Sequence, residues 1–128
     1  MTDQELVERF ETLTLQPELF PHREHVRLAW IYLHTHPPLT ALEKFCEGLK
    51  RFAASLGKAD IYHETITWAY LLLIHERMAR MESANTWEVF AENNSDLLHW
   101  KSNILKRYYR EETLQSELAR KIFLFPDR

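Results

Sequence analysis

A chain of 128 residues, 45% apolar and 27% charged, has the size and balance of one globular domain rather than of a disordered or fibrous polymer. Only two glycines, Gly48 and Gly57, serve the whole sequence, too few for the turns of an all-β fold or the phosphate loop of a dinucleotide-binding fold. The formal net charge of −3 argues against a dedicated nucleic-acid binder, which needs a basic surface.

The opening Thr2-Asp3-Gln4-Glu5 is a capping box, and Leu6, Val7 and Phe10 behind it predict a short helix to about residue 12. Pro21 cannot sit inside a helix without losing a hydrogen bond, so it marks a start. A second helix is expected from near His22 through Val26, Ala29, Trp30 and Leu33, ending at Pro37-Pro38. Thr40 to Glu43 gives a second capping box. Leu42, Phe45, Cys46, Leu49, Phe52, Ala53 and Leu56 then recur at spacings of three and four until Gly57 closes the helix.

Residues 64–81 hold Ile66, Ala69, Tyr70, Leu72, Leu73 and Ile74, apolar over so much of the circumference that they predict a central buried helix with the others around it. Helical spacing continues over 86–92 and 95–109, with Asn and Ser breakers between, and over 116–123. Ile122 to Phe125 is too short for its period to separate strand from helix. The expected architecture is an all-α, single-domain bundle over residues 1–128, with five to seven helices and a buried central one.

Histidines are the most informative polar residues. On a helix, His22 and His25 share a face, with Glu24 beside them. The stronger zinc pattern H-E-x-x-H is absent. A second cluster, Tyr62-His63-Glu64-Thr65-Ile66-Thr67, lies at the start of the apolar helix, where the helix dipole favours the neutral imidazole that a metal ligand or general base must be. If the two helix starts meet, His22, His25 and His63 offer three nitrogens to Zn, Fe or Mn, with Glu24 or Glu64 as base or further ligand and an open position for substrate.

The same residues equally suit a metal-free pocket for a small ligand, with Tyr62, Thr67 and Arg120 as contacts and Trp30 and Tyr70 among its walls. They also suit plain structure, with Thr65 or Glu64 capping the helix and His63 bonded to backbone. His34 and His36 flank the Pro37-Pro38 break as solvent-facing residues that complement the helix dipole. Cys46 falls on an apolar helix face as a small hydrophobe. Lys101 to Arg110 is basic and aromatic, but Glu111 and Glu112 follow at once, so a nucleic-acid partner is not expected. The single cysteine, and the lack of a signal peptide or an apolar run of about 18 residues, predict a cytoplasmic protein with no membrane partner. An exposed aromatic face leaves a homodimer open.

Three motifs occur together: His22-Arg23-Glu24-His25-Val26-Arg27-Leu28-Ala29-Trp30, then Tyr62 to Thr67, then Tyr108-Tyr109 through Leu114, Ser116, Ala119-Arg120 and Pro126-Asp127. Jointly they resemble a family of small, uncharacterised, all-helical bacterial proteins over residues 20–127. The resemblance implies a bacterial source and a shared pattern at His22, His25, His63, Glu64 and Arg120, and it carries no settled activity. Arg120 can reach a carboxylate at the histidine site or an anionic substrate through its planar fork. It can also tie the C-terminal segment to Asp60 or Glu64, with Ser116 and Asp127 as a local cap and clamp.

Overall fold

The computed structural model describes residues 1–81 and 86–128. Among them seven α-helices and four short 3₁₀ turns follow one another and no strand occurs, as expected for an all-α chain. No helix of the described residues is long and apolar enough to cross a membrane. The chain forms two compact units, Met1–Tyr62 and His63–Arg128.

In the first unit, α1 (Asp3–Glu11) starts at the predicted capping box, with the Thr2 side chain accepting from the Glu5 N–H. It ends in a Schellman motif: Thr14 N–H reaches the Arg9 carbonyl and Leu13 N–H the Phe10 carbonyl, with Leu13 at φ 61°. Helix α2 (His22–Thr35) follows Pro21 and stops at extended His36, ahead of Pro37. Helix α3 (Pro38–Ser55) corrects the expected start at Thr40, because Pro37 is the N-cap and Pro38 the first helical residue. Proline's fixed φ and missing N–H suit that position, so a hydroxyl cap is not needed. Gly57, at φ 70°, closes α3 by the same Schellman pattern, with Lys58 N–H on Ala53 and Gly57 N–H on Ala54.

The three helices of this unit bury a triangle of rings, Phe10, Phe20 and Phe52, with centroids 5.2–5.8 Å apart. Gly48 of α3 lets the Phe10 ring in, since a Cβ there would lie 2.7 Å from Phe10 Cζ. Cys46 is 6% exposed on the same helix, as its apolar surroundings in sequence predict.

In the second unit, α4 (Glu64–Arg80) buries Thr65, Thr67, Tyr70, Leu71 and Ile74. It is not buried all round, since Leu72 is 41% exposed. Helix α7 (Glu117–Lys121) and the turn Ile104–Arg107 pack on α4. Helix α5 (Trp87–Asn93) starts at its Thr86 cap. The single helix expected over 95–109 is instead two 3₁₀ turns, Ser95–Leu98 and Ile104–Arg107. Asn103 makes the break, its side chain accepting from Leu105 N–H and donating to the Trp100 carbonyl, which is how Asn offers the backbone an alternative to helix. A short α6 (Glu111–Leu114) was not expected. Arg77 clamps the loop after α5, bonding both Asp96 oxygens and Asn94 Oδ1 at 2.9–3.1 Å.

Candidate functional site

His63, Glu64, Thr67 and Arg120 lie in the second unit, and His22, Glu24, His25 and Tyr62 in the first. Among the described residues no three His, Cys, Asp or Glu side chains form a group that could hold a metal ion.

His63 is the N-cap of α4, a role the sequence reading gave to Thr65 or Glu64. Its Nδ1 accepts from the Ile66 N–H at 3.1 Å and its Nε2 pairs with the Leu114 carbonyl at 2.7 Å. A backbone N–H only donates and a carbonyl only accepts, so the ring is neutral with its proton on Nε2. Both nitrogens are engaged, and a metal would have to displace one of these bonds. Burial, with the nearby Arg120 guanidinium adding repulsion, holds the His63 pKa below its ordinary value against the pull of the Leu114 carbonyl. That guanidinium would also oppose a divalent cation.

Thr67, expected at a ligand, donates to the His63 carbonyl at 2.7 Å one turn back in its own helix. Thr65 is fully buried; its hydroxyl donates to the Ile122 carbonyl at 2.7 Å and accepts from the Leu124 N–H at 3.1 Å. Tyr109 donates to the Leu124 carbonyl at 2.7 Å, and Trp68 stacks on Phe123. Asp127 accepts from the Arg110 N–H at 2.9 Å and from the Thr113 hydroxyl, bonds that hold its carboxyl below the usual carboxylate range. Ser116 caps α7. The second and third sequence motifs therefore meet in one network that fastens the C-terminal segment to α4.

In the first unit, Glu24 is paired with Arg27. Arg27 donates to Glu24 at 2.8 Å, to Asp3 Oδ1 at 3.1 and 2.8 Å, and to the Met1 carbonyl at 2.9 Å. His25 Nδ1 donates to the Pro21 carbonyl at 3.0 Å, and the ring stacks on Phe20 at 3.9 Å. Burial pushes its pKa down to about 4, the charge of His22 adding to the shift and the Pro21 bond opposing it. His22 is half-buried at the first position of α2. Tyr62 lies under the Lys50 ammonium, 5.4 Å from its ring centroid.

The chemistry that gathers in this unit lies elsewhere, in a cleft of about 580 Å³ between α1 and the C-terminal half of α2, with Lys44 of α3 at its edge. Glu8 and Glu11 line it from α1, and Tyr32, His34 and His36 from α2 and its cap. Tyr32 is 1% exposed and donates to Glu11 Oε2 at 2.6 Å. Burial, then the Glu11 bond, pushes the phenol pKa up, so it stays a donor. Thr35 donates to the Ile31 carbonyl, which leaves its oxygen to accept from His36 Nδ1 at 2.9 Å. In the neutral ring the His36 lone pair then sits on Nε2. The His34 ring lies parallel to Trp30, 5.0 Å away at 13°. The cleft thus offers a fixed carboxylate, an imidazole acceptor and a flat ring.

His34 is exposed in the last turn of α2, as the sequence predicts, and His36 is half-buried; both line the cleft. The signal that could have found them is the interleaved spacing Trp30/His34 and Tyr32/His36, each pair one turn apart on one face. The Tyr32–Glu11 bond joins residues 21 apart and has no local sequence signature. No family model, curated protein or solved structure matches this chain.

Proposed function

We propose that this chain is a metal-free, small-ligand-binding protein of the bacterial cytoplasm, and that the ligand seats in the α1–α2 cleft of the first unit. The observation that carries the reading is the Tyr32–Glu11 pair at 2.6 Å in the wall of a cleft of about 580 Å³. That volume lies in the range of small-molecule sites, and a few fixed polar groups in a largely apolar wall are what orient a ligand there. The suited ligand is a small polar molecule with a flat ring to lie on His34 and hydrogen-bond donors for the Glu11 carboxylate and His36 Nε2. The bacterial assignment rests on the motif resemblance, and the cytoplasmic one on the lone, buried Cys46.

A thermal-shift screen of nucleobases, aromatic amines and amino acids tests the reading, followed by calorimetry on any compound that stabilises the protein. Glu11→Gln with His34→Ala is expected to weaken binding by roughly tenfold or more, since a charge-assisted bond contributes about 1.5–3 kcal/mol. A ligand bound equally well by that double variant would place the site elsewhere. Near-stoichiometric Zn, Fe or Mn, lost in a His22/His25/His63→Ala variant that still folds, would overturn the metal-free part.

A further inference from the structure

Two contacts fix the direction of α1 against α2. Arg27 holds Asp3, at the start of α1, and Tyr32, five residues further along α2, holds Glu11 at its end. The two helices therefore run the same way, and both C-terminal ends border the cleft, with Glu11 and Thr12 from one and His34, Thr35 and His36 from the other. A helix C-terminus carries partial negative charge, so this end of the cleft favours a cation twice over.

Glu8 and Glu11, one turn apart on α1, add two carboxylates to the same wall. Asp3 and Glu5 on that helix are already paired, with Arg27 and Arg9. Among the described residues Glu8 forms no ion pair, and Glu11 gives Oε2 to Tyr32, which leaves Oε1 to accept. Lys44, exposed at the cleft edge, likewise forms no ion pair among them. Elsewhere in this unit Arg9, Arg27 and Lys50 each find a carboxylate. Here opposite charges line one cleft without meeting.

Taking the cleft as the ligand site, as proposed above, we infer that its ligand is a zwitterion, an aromatic amino acid whose ammonium lies at Glu8 and Glu11, its ring on His34 and its carboxylate at Lys44. An ammonium has donors and no acceptor, which suits two carboxylates between two negative helix ends, and a carboxylate has acceptors only, which suits Lys44. His34 is exposed and already parallel to Trp30, so a ring laid on its other face extends the stack. A neutral nucleobase answers the ring alone, and an aromatic amine leaves Lys44 unused.

Calorimetry on the full chain at neutral pH tests the class, with phenylalanine, tyrosine, tryptophan and histidine each beside its decarboxylated amine and its deaminated acid. At least one amino acid should bind, and its amine and its acid should each bind about tenfold more weakly or worse. Glu8→Gln and Lys44→Gln, both at exposed positions, separate the two ends. Glu8→Gln should weaken the amino acid and the amine severalfold and leave the acid as it was, whereas Lys44→Gln should weaken the amino acid and the acid and leave the amine. An amine, acid or nucleobase bound as tightly as any of the four amino acids, and weakened by Glu11→Gln with His34→Ala, overturns the zwitterion while the cleft stands as the site. An amino acid bound with no regard to Glu8, Glu11, His34 or Lys44 overturns the zwitterion and the cleft together. Failure of all four amino acids to bind overturns the zwitterion, and the wider screen then decides the cleft.

Discussion

Replacing His63 by Ala removes an acceptor from the Ile66 N–H and a donor from the Leu114 carbonyl at one stroke. The expected cost is roughly 2–3 kcal/mol, the N-cap and the partner left behind contributing about equally. Asn caps well but cannot reach both groups, so His63→Asn should recover about 1 kcal/mol. Urea midpoints at unchanged slope measure both. A histidine kept only as a metal ligand would give no loss in metal-stripped protein. The sequence pointed to this residue both as a candidate ligand and as a histidine bonded to backbone, and its backbone bonds are the ones observed. A polar cluster at the mouth of an apolar helix reads as a site, whereas here the helix start itself needs the acceptor. The partner at Leu114 lies 51 residues away, a distance no local pattern spans. The same holds for Thr65 and its tail carbonyl 57 residues on.

Helices α1 and α3 end in the same motif, one with Leu13 and one with Gly57 in the left-handed position. The contrast isolates the cost of a side chain there. A Cβ at Gly57 meets nothing within 4 Å, so Gly57→Ala should lose about 1 kcal/mol from backbone conformation alone. Leu13→Gly should gain about 0.5 kcal/mol, the relief of strain being offset by the freer unfolded chain. Chemical denaturation of the two variants checks both signs, and a stabilising Gly57→Ala would refute the account. Caps and closures of this kind were largely legible: Thr2, Gly57, Thr86 and the stop before Pro37 lie where local chemistry puts them. Two signals competed at the start of α3, and the proline pair won over Thr40. Over 95–109 the apolar spacing was right that Leu97, Ile104 and Leu105 are buried, but it put Tyr108 on that face, where Tyr109 is the buried ring and Tyr108 is exposed, and it was wrong about a continuous helix, because Asn103 takes the backbone bonds for itself.

Across the whole chain, each unit holds one histidine that folding keeps neutral, His25 in the first and His63 in the second. A base whose folded pKa lies below its unfolded value binds fewer protons when folded, so stability is complete above the unfolded pKa, near 6.5, and falls as the pH drops. For His25 the loss runs from about 6.5 down to about 4 and amounts to roughly 3 kcal/mol. His63 adds to it in the same direction. Urea midpoints should therefore fall steadily from pH ~7 to ~5, and His25→Phe, which keeps the stack on Phe20, should flatten part of that slope. A slope identical in wild type and variant would mean that His25 is not held neutral. Composition alone foresaw none of this, since it counts seven histidines without saying which lose their water. It did foresee the helical class, because two glycines leave little room for anything else.

The lone thiol of Cys46 has one more use. At 6% exposure within α3, it is shielded from a bulky disulfide reagent while the first unit stays closed. Its labelling rate then reports how often that unit opens, and stopped-exchange kinetics can convert the rate into a local opening free energy. The stack of Trp68 on Phe123 offers the second unit a fluorescence signal of its own once Trp30, Trp87 and Trp100 are replaced, so the breathing of each half of the chain can be timed separately.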